Sequence, residues 1–294
     1  MKRFSLISVI ILIFMISNAS AHSLWINCFE SHVHKPGHAM VSLGWGHLLP
    51  LDDILNSARE TIAIERFELF DPAMNKSALR LPISEVAKPL ESTINVDIVA
   101  ADLATQKISL KENSAPGVYQ LGTATVPAFY TQYIDKKGRK RLKMKACDEI
   151  EDIGTVLVSV KYQAFSKSFM TLKVWKEPQA LGHSLEIIPR TDLSNLHVGD
   201  LVVVDVLVNG KPLSSSAKRK EYLTAASTIF GQADKFALFS KIQAGKAQFR
   251  VQSPGQWIIS LSHKEDVTQD GALKDLYGKT NQVYNAASLT FSVK

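Results

Sequence analysis

Short runs of β-branched and aromatic residues, each cut off by Pro, Gly, Asn or Asp, recur along the whole chain and constrain it to a mostly β fold. The plainest is Leu201 to Val208 (LVVVDVLV), followed by Asn209-Gly210 and then Lys211-Pro212, which predicts a hairpin with a two-residue turn. Ala39 to Leu43 after Lys35-Pro36-Gly37, Thr61 to Phe70 before Asp71-Pro72, Ile94 to Val99, Val118 to Val126 after Pro116-Gly117, and Val156 to Val160 with Tyr162 continue the pattern. These alternating or β-branched runs between turn residues are the signature of antiparallel strands. Only Leu51 to Arg59 and Ala164 to Leu172 read as helical, and neither is long.

The chain restarts near Lys176-Glu177-Pro178-Gln179. Ser184 to Ile188, Leu201 to Val208, Gln248 to Val251, Trp257 to Ser262 and Ala287 to Val293 are strand-like. Trp257 enters its strand through Pro254-Gly255-Gln256 and is placed to plug a two-sheet core. The polar stretch Lys264 to Thr280 predicts a long loop with one helical turn. The expected architecture is two β-sandwich domains, residues 22–176 and 177–294, the second immunoglobulin-like in size and strand content.

A leader precedes them. Met1-Lys2-Arg3 are basic, Leu6 to Ile16 is an apolar run, and Ala19-Ser20-Ala21 supply small residues, the three parts of a secretory signal peptide over residues 1–21. The run is shorter than the roughly 20 apolar residues of a membrane span. No membrane anchor is expected after processing, and Cys28, preceded by Trp25-Ile26-Asn27, does not suit lipidation. The expected location is the periplasm.

Cleavage after Ala21 makes His22 the first residue. A terminal histidine chelates a metal through its α-amine and imidazole together. Cleavage after Ala19 would instead put His22 third, a position that wraps a metal with amine, two backbone amides and imidazole, square-planar nitrogen ligation suited to Cu(II) or Ni(II).

Five of the eight histidines, His22, His32, His34, His38 and His47, fall within 26 residues. In an extended segment His32 and His34 share a face. His38 follows the Pro36-Gly37 turn. His47 ends the glycine-rich Gly44-Trp45-Gly46-His47 and is followed by Asp52-Asp53, candidates for oxygen ligands or for acceptors behind the ligating rings, with a helix cap as the structural alternative for Asp52. Neutral imidazole is the commonest metal ligand. For each histidine a plain reading stands alongside: a packed ring for His47, exposed strand positions for His32 and His34, a surface turn for His38. His183, His197 and His263 are isolated in sequence, although folding could bring His183 or His263 to the cluster.

The formal charge of +6 includes Lys2 and Arg3, so the processed chain carries about +4. Much of this excess lies between Lys136 and Lys145, whose Asp135-Lys136-Lys137-Gly138 has turn chemistry. A solvated hairpin tip is expected there, and no nucleic-acid partner. Cys28 and Cys147 either close a disulfide or stand as two thiols. There is no nucleophile elbow, Walker loop or dinucleotide fingerprint, and the chain is not expected to be an enzyme.

Five stretches, "AHSLWI" at Ala21, "GWGHLLPLDD" at Gly44, "LGHSLEIIPRTD" at Leu181, "VGDLVVVDVLVNGKPL" at Val198 and "SPGQWIISLSH" at Ser253, resemble a bacterial periplasmic family of formally unassigned function. Its members are associated with nickel and cobalt uptake transporters of the energy-coupling-factor type, as NikK-like or NikM-like accessory components. The resemblance implies a metal-handling protein of β-sandwich domains. The family's histidine after the cleavage site is matched by His22, and its glycine-histidine-proline element by His47 with Pro50.

The resulting expectation is a binding component that captures a divalent transition metal, Ni first and then Co, with Cu or Zn as alternatives. It would pass the ion to an inner-membrane nickel/cobalt transporter. His22 and His47 form the site, and His32 and His34 complete it or hand the ion on. The rival readings are a copper-binding protein or oxidase using the terminal histidine, and a structural or protein-binding module.

Overall fold

The computed structural model describes residues 22–57, 61–215, 220–231 and 237–294. The predicted leader, residues 1–21, lies outside the described residues. In chain order the first half forms β1 (Ser23–Ser31), β2 (His38–Gly46), β3 (Ile64–Phe70), β4 (Lys76–Ala78), β5 (Pro89–Ser92), β6 (Asp97–Val99), β7 (Gln106–Ser109), β8 (Gly117–Thr125), β9 (Ala128–Asp135), β10 (Lys140–Lys143) and β11 (Ile153–Leu172). The second half forms β12 (Leu185–Pro189), β13 (Leu201–Val208), β14 (Lys211–Pro212), β15 (Tyr222–Ser227), β16 (Leu238–Lys241), β17 (Lys246–Arg250), β18 (Gly255–Asp266) and β19 (Gln282–Val293). Among the described residues the helical content is two short 3₁₀ turns, Cys147–Glu149 and Lys274–Leu276, and no helix is long and apolar enough to cross a membrane.

A ten-stranded sheet runs β16-β15-β18-β19-β11-β8-β3-β4, with β9 and β10 on its flank. Its two halves meet where β11 and β19 pair in parallel, from Val160↔Gln282 to Lys167↔Leu289. Successive side chains of a strand point to opposite faces, and β11 buries both. Phe165 and Phe169 enter one core together with Leu185, Val204 and Phe249. Tyr162, Ala164, Met170 and Leu172 enter the other, with Leu24, Ile26 and Leu43. The long sheet is therefore a middle layer, covered on one face by β1-β2-β7 and on the other by β12-β13-β14 with β17. The mostly β, sandwich-like class expected from the sequence is observed, and both predicted segments, residues 22–176 and 177–294, contribute strands to this shared sheet.

Double burial explains the one strand that the sequence disguises. Ala164 to Leu172 is the end of β11, a strand and not a helix, and it is buried almost throughout. With neither face wet, the alternation that marks a strand is lost. Leu51 to Asn56 is not helical either: a Trp45↔Asp53 bridge and an Asn56↔Thr61 bridge hold it as a closed loop, and Ala58, Arg59 and Glu60 lie outside the described residues.

Other expectations hold. Asn209 and Gly210 turn the β13–β14 hairpin with φ of 48° and 75°. Trp257 is fully buried, and its indole lies near-parallel to the rings of Phe230, Phe249 and Phe291. The basic stretch is the β9–β10 hairpin, where Asp135 pairs with Arg139 and Arg141 and Asp152 with Lys143.

Candidate metal centre

The β1–β2 hairpin sorts the histidines into two groups. Its register runs from Ser23↔Gly46 to Ser31↔His38. One step beyond the first pair, His22 stands opposite His47, and one step beyond the last, His32 stands opposite Gly37. At about 3.3 Å per residue the two ends are roughly 30 Å apart. His22 and His47 are thus brought together, whereas His32 and His34 sit at the far end and cannot complete their site.

At the near end the rings of His22 and His47 are 4.4 Å apart between centroids, and the indole of Trp45 lies 5.5 Å from His22. Two imidazoles sharing one ion through bonds of about 2.0–2.1 Å place their centroids about 4.5 Å apart at a right angle and about 6.4 Å apart when opposed. The observed spacing fits the right-angle case. Two carboxylates flank the pair: Asp53 Oδ2 is 3.5 Å from His22 Nε2, and Asp52 Oδ2 is 3.5 Å from His47 Nδ1. Carboxylates placed behind ligating imidazoles set ring orientation and raise basicity. With Nε2 of His22 turned to Asp53, Nδ1 is the nitrogen that closes a chelate ring with an α-amine.

Local chemistry fixes this loop. Asp52 accepts hydrogen bonds from the backbone N–H of His47 (2.8 Å) and Leu48 (3.0 Å), so it ties the loop in place of the helix cap considered from sequence. Gly46 has a φ of +130°, and a Cβ there would overlap the Asp52 carboxylate. The Pro50 carbonyl accepts from Trp25 Nε1 and Asn27 Nδ2, each at 3.1 Å. Gly44 leaves the space that the Trp25 indole occupies.

Side chains of the middle sheet hold the edge of β1 that does not pair with β2. Ser288 Oγ donates to the Leu24 carbonyl and Thr290 Oγ1 to the Ile26 carbonyl, each at 2.5 Å, while the Ile26 N–H donates to Ser166 Oγ at 3.1 Å. Asn27 Oδ1 accepts from Gln256 Nε2. These buried bonds pin the strand that begins immediately after His22. A small cavity of about 90 Å³ beside His47 is lined from the second half by Ala226, Ser227, Thr228, Gly231 and Ile258. No local sequence signal joins those residues to His47, because the contact is made only by the layering.

Among the described residues no three His, Cys, Asp or Glu side chains are gathered as a metal cage. The donor set here is two imidazoles. They are 27% and 32% exposed at the side chain, open enough for an ion to enter, and an α-amine on His22 would supply a third nitrogen.

The other candidates lie elsewhere. His183 is buried against Phe165 on the opposite face of the sheet, and burial pulls its imidazole down to about 3. His263 pairs with Glu221 at 3.0 Å, and His197 is exposed beside Asp200. Cys28 and Cys147 are both free thiols. Burial drives the Cys28 thiol far above its ordinary range, and its Sγ donates to the Phe169 carbonyl, so it offers no thiolate.

Fold and site together define the class: a layered all-β protein whose first strand starts beside the His22–His47 ring pair, each ring 3.5 Å from its own aspartate. The chain belongs to a family, since residues 19–265 match the model described as "Domain of unknown function (DUF4198)". The match includes His22 and His47 and reaches from the first strand into β18. No curated protein matches the chain.

Proposed function

We propose that this is an exported metal-binding protein that captures a divalent transition metal between His22 and His47 in the periplasm. The cargo in this reading is Ni(II) first and Co(II) next, and the acceptor is an energy-coupling-factor type uptake transporter, as the family resemblance implies. The observation that carries it is the 4.4 Å pairing of His22 with His47, each backed by its own aspartate. Removal of residues 1–21 makes His22 the amino terminus, and its α-amine then joins the two imidazoles as a three-nitrogen donor set. The same set suits Cu(II), which binds such sites most tightly in vitro. Affinity order therefore does not identify the cargo, and copper-dependent turnover is the mark of the rival oxidase reading.

The test is native mass spectrometry of protein beginning at His22, titrated with Ni(II), Co(II), Zn(II) and Cu(II), beside protein carrying one extra residue before His22. The processed form is expected to hold an ion that the extended form and His22→Ala lose. Equal binding by all three overturns the reading. Because ligating imidazoles must be deprotonated, occupancy should fall on acidification.

A further inference from the structure

The far end of the same hairpin holds histidines that the first site does not use, and we propose that His34 and His38 form a second, separate transition-metal site there. The chain turns through residues 32–37 between the last β1–β2 pair, Ser31↔His38, and its own return. That turn brings the rings of His34 and His38 to 6.1 Å between centroids, with planes 21° apart. This lies inside the range, about 4.5 to 6.4 Å, for two imidazoles that share one ion through bonds of about 2.0–2.1 Å. The rings are recorded near-parallel, so sharing an ion requires each to turn about its side-chain bonds until a nitrogen faces the other.

His32 stands at the rim. Its ring lies over Gly37, where a Cβ would come within 3.1 Å of Nδ1. Its Nε2 is 3.8 Å from the Glu30 carboxylate, which repeats the imidazole–carboxylate arrangement of the first site. Residues 32–35 of the turn are exposed and His38 is half-buried, so water would complete the coordination. Neutral imidazoles with water suit Ni(II), Cu(II) and Zn(II).

Two features make this site the weaker one. It has two imidazoles where the first would have two and an amine, and desolvation, with the cationic Lys107 beside it, disfavours positive charge at His38. At roughly 30 Å from His22 it cannot pass an ion directly to the first site within one molecule. It needs no processed terminus, so it stands or falls apart from the proposed function.

Ni(II) titration of protein beginning at His22, read by native mass spectrometry, tests it. The unaltered protein is expected to take two ions. His34→Ala/His38→Ala should lose the weaker and keep the tighter, while His22→Ala should lose the tighter and keep the weaker. His34 is exposed, His22 precedes the first strand and His38 is half-buried at the start of β2, and none of the three belongs to either core. A single ion in the unaltered protein, or a second ion that persists in His34→Ala/His38→Ala, overturns the second site. Retention of the tighter ion by His22→Ala would overturn the first reading alone.

Discussion

At the scale of single residues, Gly46 and His183 show how the site and the core depend on one atom or one proton. Gly46→Ala would place a Cβ against Asp52 at a φ that L-residues disfavour. A cost of about 1–3 kcal/mol is expected in denaturant unfolding. Under the proposed metal-binding reading, affinity should drop by about tenfold or more, as when the outer partners of a ligand are disturbed. His183 is held down to about 3 by burial, against about 6.5 in an unfolded chain. Between those values the unfolded state binds a proton that the folded state refuses. His183 therefore contributes stability that is fully present above about pH 6.5 and is lost as pH falls towards 3, with a slope of up to about 1.4 kcal/mol per pH unit. In His183→Gln the dependence of unfolding free energy on pH should be flatter across that window, and an unchanged slope would count against this assignment.

At the scale of elements, β11 joins the layers with a charge where none is expected. Lys167, almost wholly buried, donates to Glu186 at 2.8 Å, and Glu186 also accepts from the Leu181 and Gly182 backbone N–H groups. This clamps the segment before β12 to the middle sheet, where Gly122 leaves room for Leu181 and His183. Lys167→Met should cost about 3–5 kcal/mol, because it leaves a buried carboxylate without its cation. Lys167→Met/Glu186→Gln should recover part of that loss in chemical denaturation, since a glutamine oxygen still accepts from Leu181. A double variant as unstable as the single one would show that the charge is not what matters. The same strand marks the limit of reading from sequence. LVVVDVLV and its Asn209-Gly210 turn were legible because one face stays partly wet and the turn chemistry is local. Ala164 to Leu172 was not, because a strand covered on both sides has no polar face to alternate with.

At the scale of the whole molecule, the first half depends on the second. β19 pairs along β11, and Ser288 and Thr290 of β19 bond the carbonyls of β1. A fragment of residues 22–176 would expose that edge of β11 and leave those carbonyls without their donors. It is expected to lack the cooperative unfolding transition of the full chain and, under the proposed reading, to lose metal binding at His22. A cooperative fold of the fragment in circular dichroism and proton NMR would contradict this coupling.

The sequence by itself determined the β class, most strand positions, the turn residues, and the concentration of histidines near the start of the chain. These follow from local rules: side-chain period, turn stereochemistry and composition. Only the tertiary structure decided that His22 belongs with His47 and that His32 and His34 do not, because that depends on the register of one hairpin. It alone decided that Ser166, Ser288, Thr290 and Ile258, far away in the chain, hold or border the site. Such contacts depend on which faces are buried against one another, and burial is a property of the assembled layers.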